Sequence, residues 1–152
     1  MLKHFLVTLC LSFTVLSLSA QNVVFQDSIY LLDNKPYTGI YTEYFANGDK
    51  KQELNILNGK EEGFCHIFFE NGQLKEQRSY AAGKKHGKWY TWSSAGVKTA
   101  EATYNNDIKD GEWLIWDEKG TLRYRMLYEN GNKKGVWSMW DENGNLLQEK
   151  TY

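Results

Sequence analysis

The hydrophobic and polar positions of this chain repeat with a period of 24 residues. The clearest instance is the pair of stretches GEWLIWDEKG, residues 111–120, and GVWSMWDENG, residues 135–144. Two sets of glycines follow this period without insertion or deletion: Gly39, Gly63, Gly87, Gly111 and Gly135, and Gly48, Gly72, Gly96, Gly120 and Gly144. A strict period of this length indicates stacked copies of one supersecondary unit. The sequence therefore predicts five copies over residues 39–152.

Aromatic residues occupy fixed places within the copies. We number the first glycine of each copy as position 1. Position 3 is then Tyr41, Cys65, Trp89, Trp113 and Trp137; position 6 is Tyr44, Phe68, Trp92, Trp116 and Trp140; and position 18 is Ile56, Tyr80, Tyr104, Tyr128 and Tyr152. Such aromatic runs between turn residues are typical of β-strands.

Two turn signals divide each copy. Positions 9 and 10 read Asn-Gly in three copies, which predicts a type I′ turn in which both central residues have positive φ. A second linker, such as YAAGKKHG at residues 80–87, is also rich in turn residues. Each copy then contributes two strands of about six residues. A glycine pair in every copy argues against the helical alternative. We predict an all-β fold, an elongated single-layer antiparallel meander of hairpins.

The predicted pairing divides the side chains between two faces of the sheet. With Asn-Gly as a two-residue loop, position 3 faces position 16 and position 6 faces position 13. One face collects the position-3 tryptophans, the position-18 tyrosines and the position-12 leucines Leu74, Leu122 and Leu146. The other carries position 6, with Lys75 and Arg123 opposite its rings. A bulge would exchange these assignments locally.

The position-6 aromatic residues are the main candidate binding surface. We call Tyr44, Phe68, Trp92, Trp116 and Trp140 the aromatic stripe. Flat rings can stack on sugars or peptide side chains, and Lys75 and Arg123 can pair with an acidic group. The alternative is that the stripe serves structure alone, through cross-strand contacts.

The pattern in Gly111–Gly135 resembles a known family. Its GxWxxW motif, turn glycines and tyrosine spacing are similar to those of the MORN-repeat superfamily, closest to the variant repeat of bacterial proteins. The resemblance covers residues 39–152. It implies an elongated, twisted antiparallel sheet that serves as a scaffold or binding surface, with no catalytic residues. Some bacterial members are described as antitoxins. Residues 21–38 are an N-terminal strand or degenerate half-copy.

The N-terminus has the layout of a secretory signal peptide. Lys3 and His4 precede an apolar stretch, Phe5–Leu16, and small residues lead up to Ala20. We expect cleavage of residues 1–20 and export to the periplasm, cell surface or exterior. A membrane-anchoring helix is the alternative, but the apolar stretch is shorter than the roughly 20 residues that a span needs. After cleavage, no transmembrane span is expected.

Charge and cysteine content exclude several classes of function. Removing residues 1–20 takes away one lysine, so that 17 basic side chains remain against 19 acidic ones, a net charge of −2. This balance gives no reason to expect nucleic-acid binding. Cys65 is then the single cysteine, which leaves no internal disulfide.

No group of residues predicts catalysis or a cofactor. Cys65 and His66 are adjacent on a strand and point to opposite faces, so they cannot form a nucleophile–base pair. The pairs Asp117-Glu118 and Asp141-Glu142 precede tight turns and are expected to be solvated. The remaining histidines and acids match no metal-ligand spacing. We expect no enzyme activity, no metal and no cofactor.

The function expected is therefore that of an exported, non-enzymatic scaffold or protein-interaction module. Two alternatives stay open: glycan or cell-wall binding through the stripe, and, from the family resemblance, an antitoxin-like neutralisation of a partner. The expected partner is another protein or an envelope glycan. Self-association through a sheet edge or the apolar face is a further expectation.

Overall fold

The computed structural model describes residues 22–152, so the predicted signal peptide lies outside the described residues. These residues form β-strands and turns, with no helix. The strands are β1 Val23–Gln26, β2 Ile29–Leu32, β3 Lys35–Pro36, β4 Gly39–Tyr44, β5 Lys50–Leu57, β6 Lys60–Phe68, β7 Leu74–Ala81, β8 Lys84–Lys85, β9 Gly87–Trp92, β10 Lys98–Asn105, β11 Ile108–Lys109, β12 Gly111–Trp116, β13 Leu122–Glu129, β14 Asn132–Trp140 and β15 Leu146–Thr151.

The strands from β4 onward form one open antiparallel sheet in chain order. Its path runs β15-β14-β13-β12-β10-β9-β7-β6-β5-β4, with the short strands β8 and β11 paired to β7 and β10. Strands pair with their neighbours in sequence, except that β7 also pairs with β9 and β10 with β12, past the two-residue strands β8 and β11; this is the order expected for a meander. The prediction of an all-β meander of hairpins is confirmed. Strands β1 to β3 make a separate three-stranded sheet at the N-terminal end.

The two-residue type I′ turns lie at the second linker of each copy, not at positions 9 and 10. Both central residues have positive φ at Asn58-Gly59, Ala82-Gly83, Asn106-Asp107 and Asn130-Gly131. Leu57 pairs with Lys60 across the first of these turns. Asparagine and glycine recur here because they tolerate the left-handed conformation that a type I′ turn requires.

The prediction of a type I′ turn at positions 9 and 10 is wrong. In the fourth copy the Gly120 amide donates to the Asp117 carbonyl at 3.0 Å, and the Asp117 amide donates to the Thr121 carbonyl at 3.0 Å. Gly120 has a φ of 83°, whereas Lys119 at position 9 is not left-handed. This is a three-residue loop closed by a left-handed glycine, the common G1-bulge hairpin. The Asp117 Oδ1 atom stabilises it by accepting the amides of Lys119 and Thr121.

A second irregularity changes the predicted register near these turns. Trp113 pairs with Met126 and Ile115 with Tyr124, as expected, but Trp116 pairs with Leu122 at position 12. Arg123 is the extra residue of a bulge. The same shift occurs in all five copies. The predicted pairing of position 6 with position 13 is therefore wrong.

The bulge also corrects the predicted faces. Leu74, Leu122 and Leu146 pair with Phe68, Trp116 and Trp140, so they share the stripe's face rather than that of the position-3 tryptophans. Positions 14, 16 and 18 lie beyond the bulge. They keep the predicted face because the pairing there is regular.

The buried core is small and lies under the N-terminal strands. It consists of Tyr30, Tyr37, Leu54, Ile56 and Cys65. We call residues 23–37 the cap. The Tyr30 amide donates to the Gly59 carbonyl at 2.9 Å, and the Tyr37 hydroxyl donates to the Ile40 carbonyl at 2.9 Å. The cap thereby covers one face of the first copies.

The cap explains why cysteine replaces tryptophan at position 3 of the second copy. Cys65 is fully buried and shares the core cluster with Tyr30, whose ring also lies 5.4 Å from that of Tyr41. Tyr30 supplies the aromatic ring over this part of the sheet, so the slot beneath it suits only a small side chain. Burial raises the pKa of the Cys65 thiol.

We expect Ala82→Asn to stabilise the protein. Ala82 holds a φ of 50° at a turn position where the other copies carry asparagine. Left-handed backbone costs a residue with a Cβ roughly 1–2 kcal/mol, and asparagine recovers part of this. Urea unfolding should show a gain of about 0.5–1 kcal/mol. The matched control is Ala95→Asn, at a position without positive φ; an equal gain there would contradict the turn assignment.

We expect the cap to shield Cys65 from thiol reagents. In the chain starting at Gln21, Tyr30→Ala should accelerate native-state alkylation of Cys65 at least tenfold, because the ring covering the thiol is lost. Phe25→Ala is the control, since Phe25 is 61% exposed and should leave the thiol protected. Rapid labelling of the unsubstituted protein would contradict the packing described. The labelling rate is measured by mass spectrometry.

Candidate functional site

A continuous row of aromatic rings runs along one face of the sheet. It alternates the position-18 tyrosines with the position-3 tryptophans: Tyr80, Trp89, Tyr104, Trp113, Tyr128, Trp137 and Tyr152. Neighbouring centroids lie 4.8–5.5 Å apart, with tilted or edge-on planes. We call this row the ring ladder and its side of the sheet the ladder face. Each such contact stabilises the fold by about 0.5–1.5 kcal/mol beyond burial.

A hydrogen bond fixes each tryptophan of the ladder. The Nε1 atoms of Trp89, Trp113 and Trp137 donate to the carbonyls of Ser79, Thr103 and Leu127 at 2.8–3.0 Å. The acceptor is always at position 17 of the preceding copy. The sequence correctly predicts that positions 3 and 18 share a face. The tryptophans are half-buried rather than core-like, because the sheet has no second layer above them.

Among residues 22–152, five cations lie over rings of this ladder: Arg78 over Trp89, Lys150 over Tyr152, and three lysines at position 23 that each lie over two rings. The Nζ atoms of Lys85, Lys109 and Lys133 each lie 4.3–5.2 Å from the centroids of one tryptophan and one tyrosine. Within the described chain none of the three has a carboxylate within 4 Å. Lys85, Lys109 and Lys133 recur every 24 residues, and this spacing could have identified them from the sequence.

The lysines alter the electrostatics of the ladder. Lys133 donates to the Tyr152 hydroxyl at 3.3 Å, and this hydrogen bond lowers the pKa of Tyr152. Tyr104 lies deeper, and burial raises its pKa. The ladder face is therefore cationic as well as aromatic in this part of the chain.

The aromatic stripe lies on the opposite face and is less continuous. Tyr44 is 63% exposed, whereas the other four stripe residues are half-buried. No ring contact joins one stripe residue to the next among the described residues. Phe68 lies 6.4 Å from His66, and Trp92 lies 5.8 Å from Tyr90, both within a single strand.

Two stripe tryptophans line grooves of the same design. Trp92 lines one with Gln73, Leu74 and Gly96, of about 330 Å³. The equivalent residues one copy later, Val97, Lys98, Trp116 and Gly120, line another of about 360 Å³. Each groove uses the turn glycine of its own copy and two residues of the preceding copy. The repeat therefore places equivalent open grooves at successive copies.

The two cations predicted to border the stripe are engaged elsewhere. The Lys75 Nζ atom lies 5.6 Å from the ring of Phe69 rather than over a stripe ring. The Arg123 Nε atom donates to the Trp140 carbonyl at 2.9 Å, and its Nη1 atom lies 3.6 Å from Asp117. Both are bulge residues, which explains why the predicted pairing misplaced them.

Two position-12 lysines lie over stripe rings: Lys50, 5.8 Å from the centroid of Phe68, and, closer, Lys98. The Lys98 Nζ atom is 4.4 Å from the centroid of Trp116 and 3.0 Å from Glu101, which also pairs with Lys88 at 2.6 Å. Partial burial alone would raise the pKa of Glu101, but the hydrogen bonds from the two lysines outweigh it and lower that pKa. A regular pairing would place position 12 on the ladder face, whereas the bulge pairs Lys98 with Trp92 and so places it on the stripe face.

The residues considered for chemistry are separated. Cys65 pairs with Arg78, whereas its neighbour His66 pairs with Gln77 and points to the stripe face. Asp141, like Asp117, uses its carboxylate to close a hairpin turn; hydrogen bonds from Asn145 lower its pKa. Among residues 22–152, no cluster of histidine, cysteine and acidic side chains is placed to hold a metal ion. That part of the chain also contains no helix that could cross a membrane.

We expect Trp113→Ala to destabilise the protein more than Trp116→Ala. Trp113 contacts Tyr104 and Tyr128 and has an indole hydrogen bond, so its loss should cost about 3 kcal/mol, the lower end for truncating a buried tryptophan. Trp116 lacks ring neighbours, and its loss should cost about 1 kcal/mol. Denaturant unfolding of both variants measures this. Equal losses would mean that the stripe serves packing.

Comparison with known proteins agrees with this architecture. A family profile described as "MORN repeat variant" matches residues 37–58, 67–82, 109–130 and 133–152. No curated protein matches the chain. The matched segments cover four of the five copies and more than half of the chain. They include Tyr80, Trp113, Tyr128, Trp137 and Tyr152 of the ladder and four of the five stripe residues, whereas most of the third copy, with Trp89, Trp92 and Tyr104, lies outside them. The chain therefore belongs to the MORN repeat variant family.

Proposed function

We propose that this protein is an exported, non-enzymatic scaffold that binds another protein through the stripe face of its sheet. The observation that carries the proposal is the pair of equivalent grooves beside Trp92 and Trp116. Their walls come from neighbouring copies, so the stacking of the second, third and fourth copies builds both grooves. MORN repeats suggest an interaction role in general terms.

The composition of the grooves supports a protein partner. Each has a tryptophan and an aliphatic side chain, and the second also has the ammonium of Lys98. Aromatic residues are enriched at protein interfaces because they bury a large apolar area and keep a polar edge. Several apolar side chains are also exposed on strands of this face, among them Ile40, Phe64 and Val136.

Two features support a non-enzymatic role. The Cys65 thiol is fully buried and its pKa is raised, which disfavours the thiolate that nucleophilic catalysis needs. The acidic residues Asp117 and Asp141 accept backbone hydrogen bonds that hold their turns, so substituting them would disturb the hairpins.

Export is supported by the sequence of residues 1–21 alone. The basic start, the apolar stretch and Ala20 are typical of a cleaved signal peptide. Placement outside the cytosol also makes an antitoxin-like role against a cytosolic toxin the weaker reading of the family resemblance.

A glycan is the second candidate ligand, favoured by the recurrence of the grooves. A polysaccharide repeats along its length, and the grooves beside Trp92 and Trp116 repeat along the sheet. Open aromatic surfaces of this kind can stack on sugar rings. The two candidates use the same residues and are separated by the choice of ligand in the binding assay.

If the protein is exported and cleaved, protein purified from the envelope or the medium should begin at Gln21 by N-terminal sequencing.

Stripe substitutions should strongly reduce the capture of a partner by this mature protein. Immobilised, it should retain specific envelope proteins, and Trp92→Ala/Trp116→Ala should reduce their recovery at least fivefold because both grooves lose a wall. Quantitative mass spectrometry of the retained proteins measures this, and parallel sedimentation with cell-wall polysaccharide tests the glycan.

The control is Ile115→Ala, next to Trp116 but on the ladder face. It should leave recovery unchanged. Loss with Ile115→Ala and not with the tryptophan pair would contradict the stripe as the interface. Retention of polysaccharide but of no protein would favour the glycan.

A further inference from the structure

The ladder face is cationic and carries no compensating acid over the last three copies. The side chains pointing to this face between Gly87 and Tyr152 come from positions 3, 5, 14, 16, 18 and 23, and none of them is aspartate or glutamate. The acidic residues of these copies lie in turns or on strand positions of the other face, such as Glu101, Glu112 and Glu149. Lys85 precedes this range and shares its face with Glu76 of the second copy, but that carboxylate pairs with Arg78 at 2.9 Å. In the described chain, Lys85, Lys109 and Lys133 therefore have no carboxylate within 4 Å.

The cap shows what this face looks like where it is covered. Position 23 of the first copy is Glu61, which accepts a hydrogen bond from the Tyr30 hydroxyl of the cap at 3.4 Å. The next three copies that have this position carry lysine instead, and there the cap is absent. Under the cap, the Glu61 carboxylate thus accepts a hydrogen bond from the segment that covers it. At the lysine positions, a covering segment would instead have to supply hydrogen-bond acceptors for the ammonium groups.

The same part of the ladder face has room for apolar groups. A pocket of about 260 Å³ has Tyr124, Met126, Trp137, Met139, Lys150 and Tyr152 among its lining residues. Tyr124 is 40% exposed, and Ile115, which pairs with it, is 38% exposed. A concave pocket of this size can hold a protein side chain. A flat lipid surface has no such protruding group to fill it.

The spacing of the lysines identifies the conformation of a matching ligand. Lys85, Lys109 and Lys133 follow one another every two strands, a distance of about 9.5 Å. A polyproline II helix advances about 9.3 Å in three residues and returns every third side chain to the same side. A β-strand alternates its side chains and cannot present every third residue to one surface. Aromatic surfaces are the usual docking sites for polyproline II segments.

We propose that the ladder face from Trp89 to Tyr152 binds an acidic polyproline II segment of a partner protein, with aspartate or glutamate at every third residue. The carboxylates pair with Lys85, Lys109 and Lys133, and proline or aliphatic side chains pack on the rings between them. The inference extends the proposed interaction role to the opposite face. Failure of the stripe and failure of this site therefore give different results.

The test uses the mature protein and synthetic peptides. The probe is a peptide of four Glu-Pro-Pro units. Binding is measured by tryptophan fluorescence and titration calorimetry, and it should weaken as salt rises from about 0.05 to 0.5 M because the lysines are only partly buried. Peptides of the same composition with clustered glutamates, or with glutamine for glutamate, should bind at least tenfold more weakly.

Matched lysine variants locate the site. Lys109→Gln should weaken binding of the Glu-Pro-Pro peptide at least fivefold. Lys98→Gln, which removes a lysine over a ring on the stripe face, should leave it unchanged. Circular dichroism and thermal unfolding of both variants show that the fold is intact. Trp92→Ala/Trp116→Ala should also leave peptide binding unchanged, whatever happens to the stripe partner.

Three results would overturn the proposal. One is the absence of peptide binding at millimolar concentration, and another is equal binding of the clustered peptide. The third is that the protein binds vesicles containing phosphatidylserine more tightly than the peptide and that Lys109→Gln abolishes this vesicle binding. That result would assign the ladder face to a lipid surface.

Discussion

The fold depends on the contact between rings of neighbouring copies. A single-layer sheet has no second layer to cover its apolar side chains, so each position-3 tryptophan must be buried by the position-18 tyrosines on either side. Trp113 lies between Tyr104 and Tyr128 at 5.2 and 5.5 Å. The contact with Tyr104 joins Trp113 to the preceding copy, and the contact with Tyr128 lies within its own copy. Because the two kinds of contact alternate along the ladder, stability accumulates along the chain, as in other repeat proteins.

Hydrogen bonds between successive turns and a repeated bulge keep these rings in register. The left-handed turn residue Gly131 donates to the Lys109 carbonyl of the turn before it, and the same bond joins Gly83 to Glu61. The bulge at position 13 is repeated in every copy, so its twist is also repeated. A copy of any other length would separate Trp113 from its tyrosines, which gives a physical reason for the strict period.

The sequence predicted the strands and the ladder because their signals are local and periodic. Trp113 and Tyr128 share a face in any antiparallel pairing of this hairpin that stays regular away from the turn. The register at Trp116 could not be read in the same way, because Asn-Gly suits both a type I′ turn and a G1-bulge turn. Asp117 and Asp141 were the signal for the G1-bulge turn, because aspartate favours the first position of the type I turn that it contains. The burial of Cys65 could not be predicted from the local pattern, because the ring that covers it belongs to Tyr30, 35 residues earlier in the chain.

The cap gives the sheet two unlike ends. At one end Tyr30, Tyr37, Leu54 and Ile56 are buried together, whereas all six residues of β15 are exposed. Local opening is easiest where few apolar contacts must break, so amide hydrogen exchange should be slowest in β5 and β6 and become faster strand by strand toward β15. We therefore expect a gradient of rigidity along the sheet, with the strands furthest from the core the most adaptable.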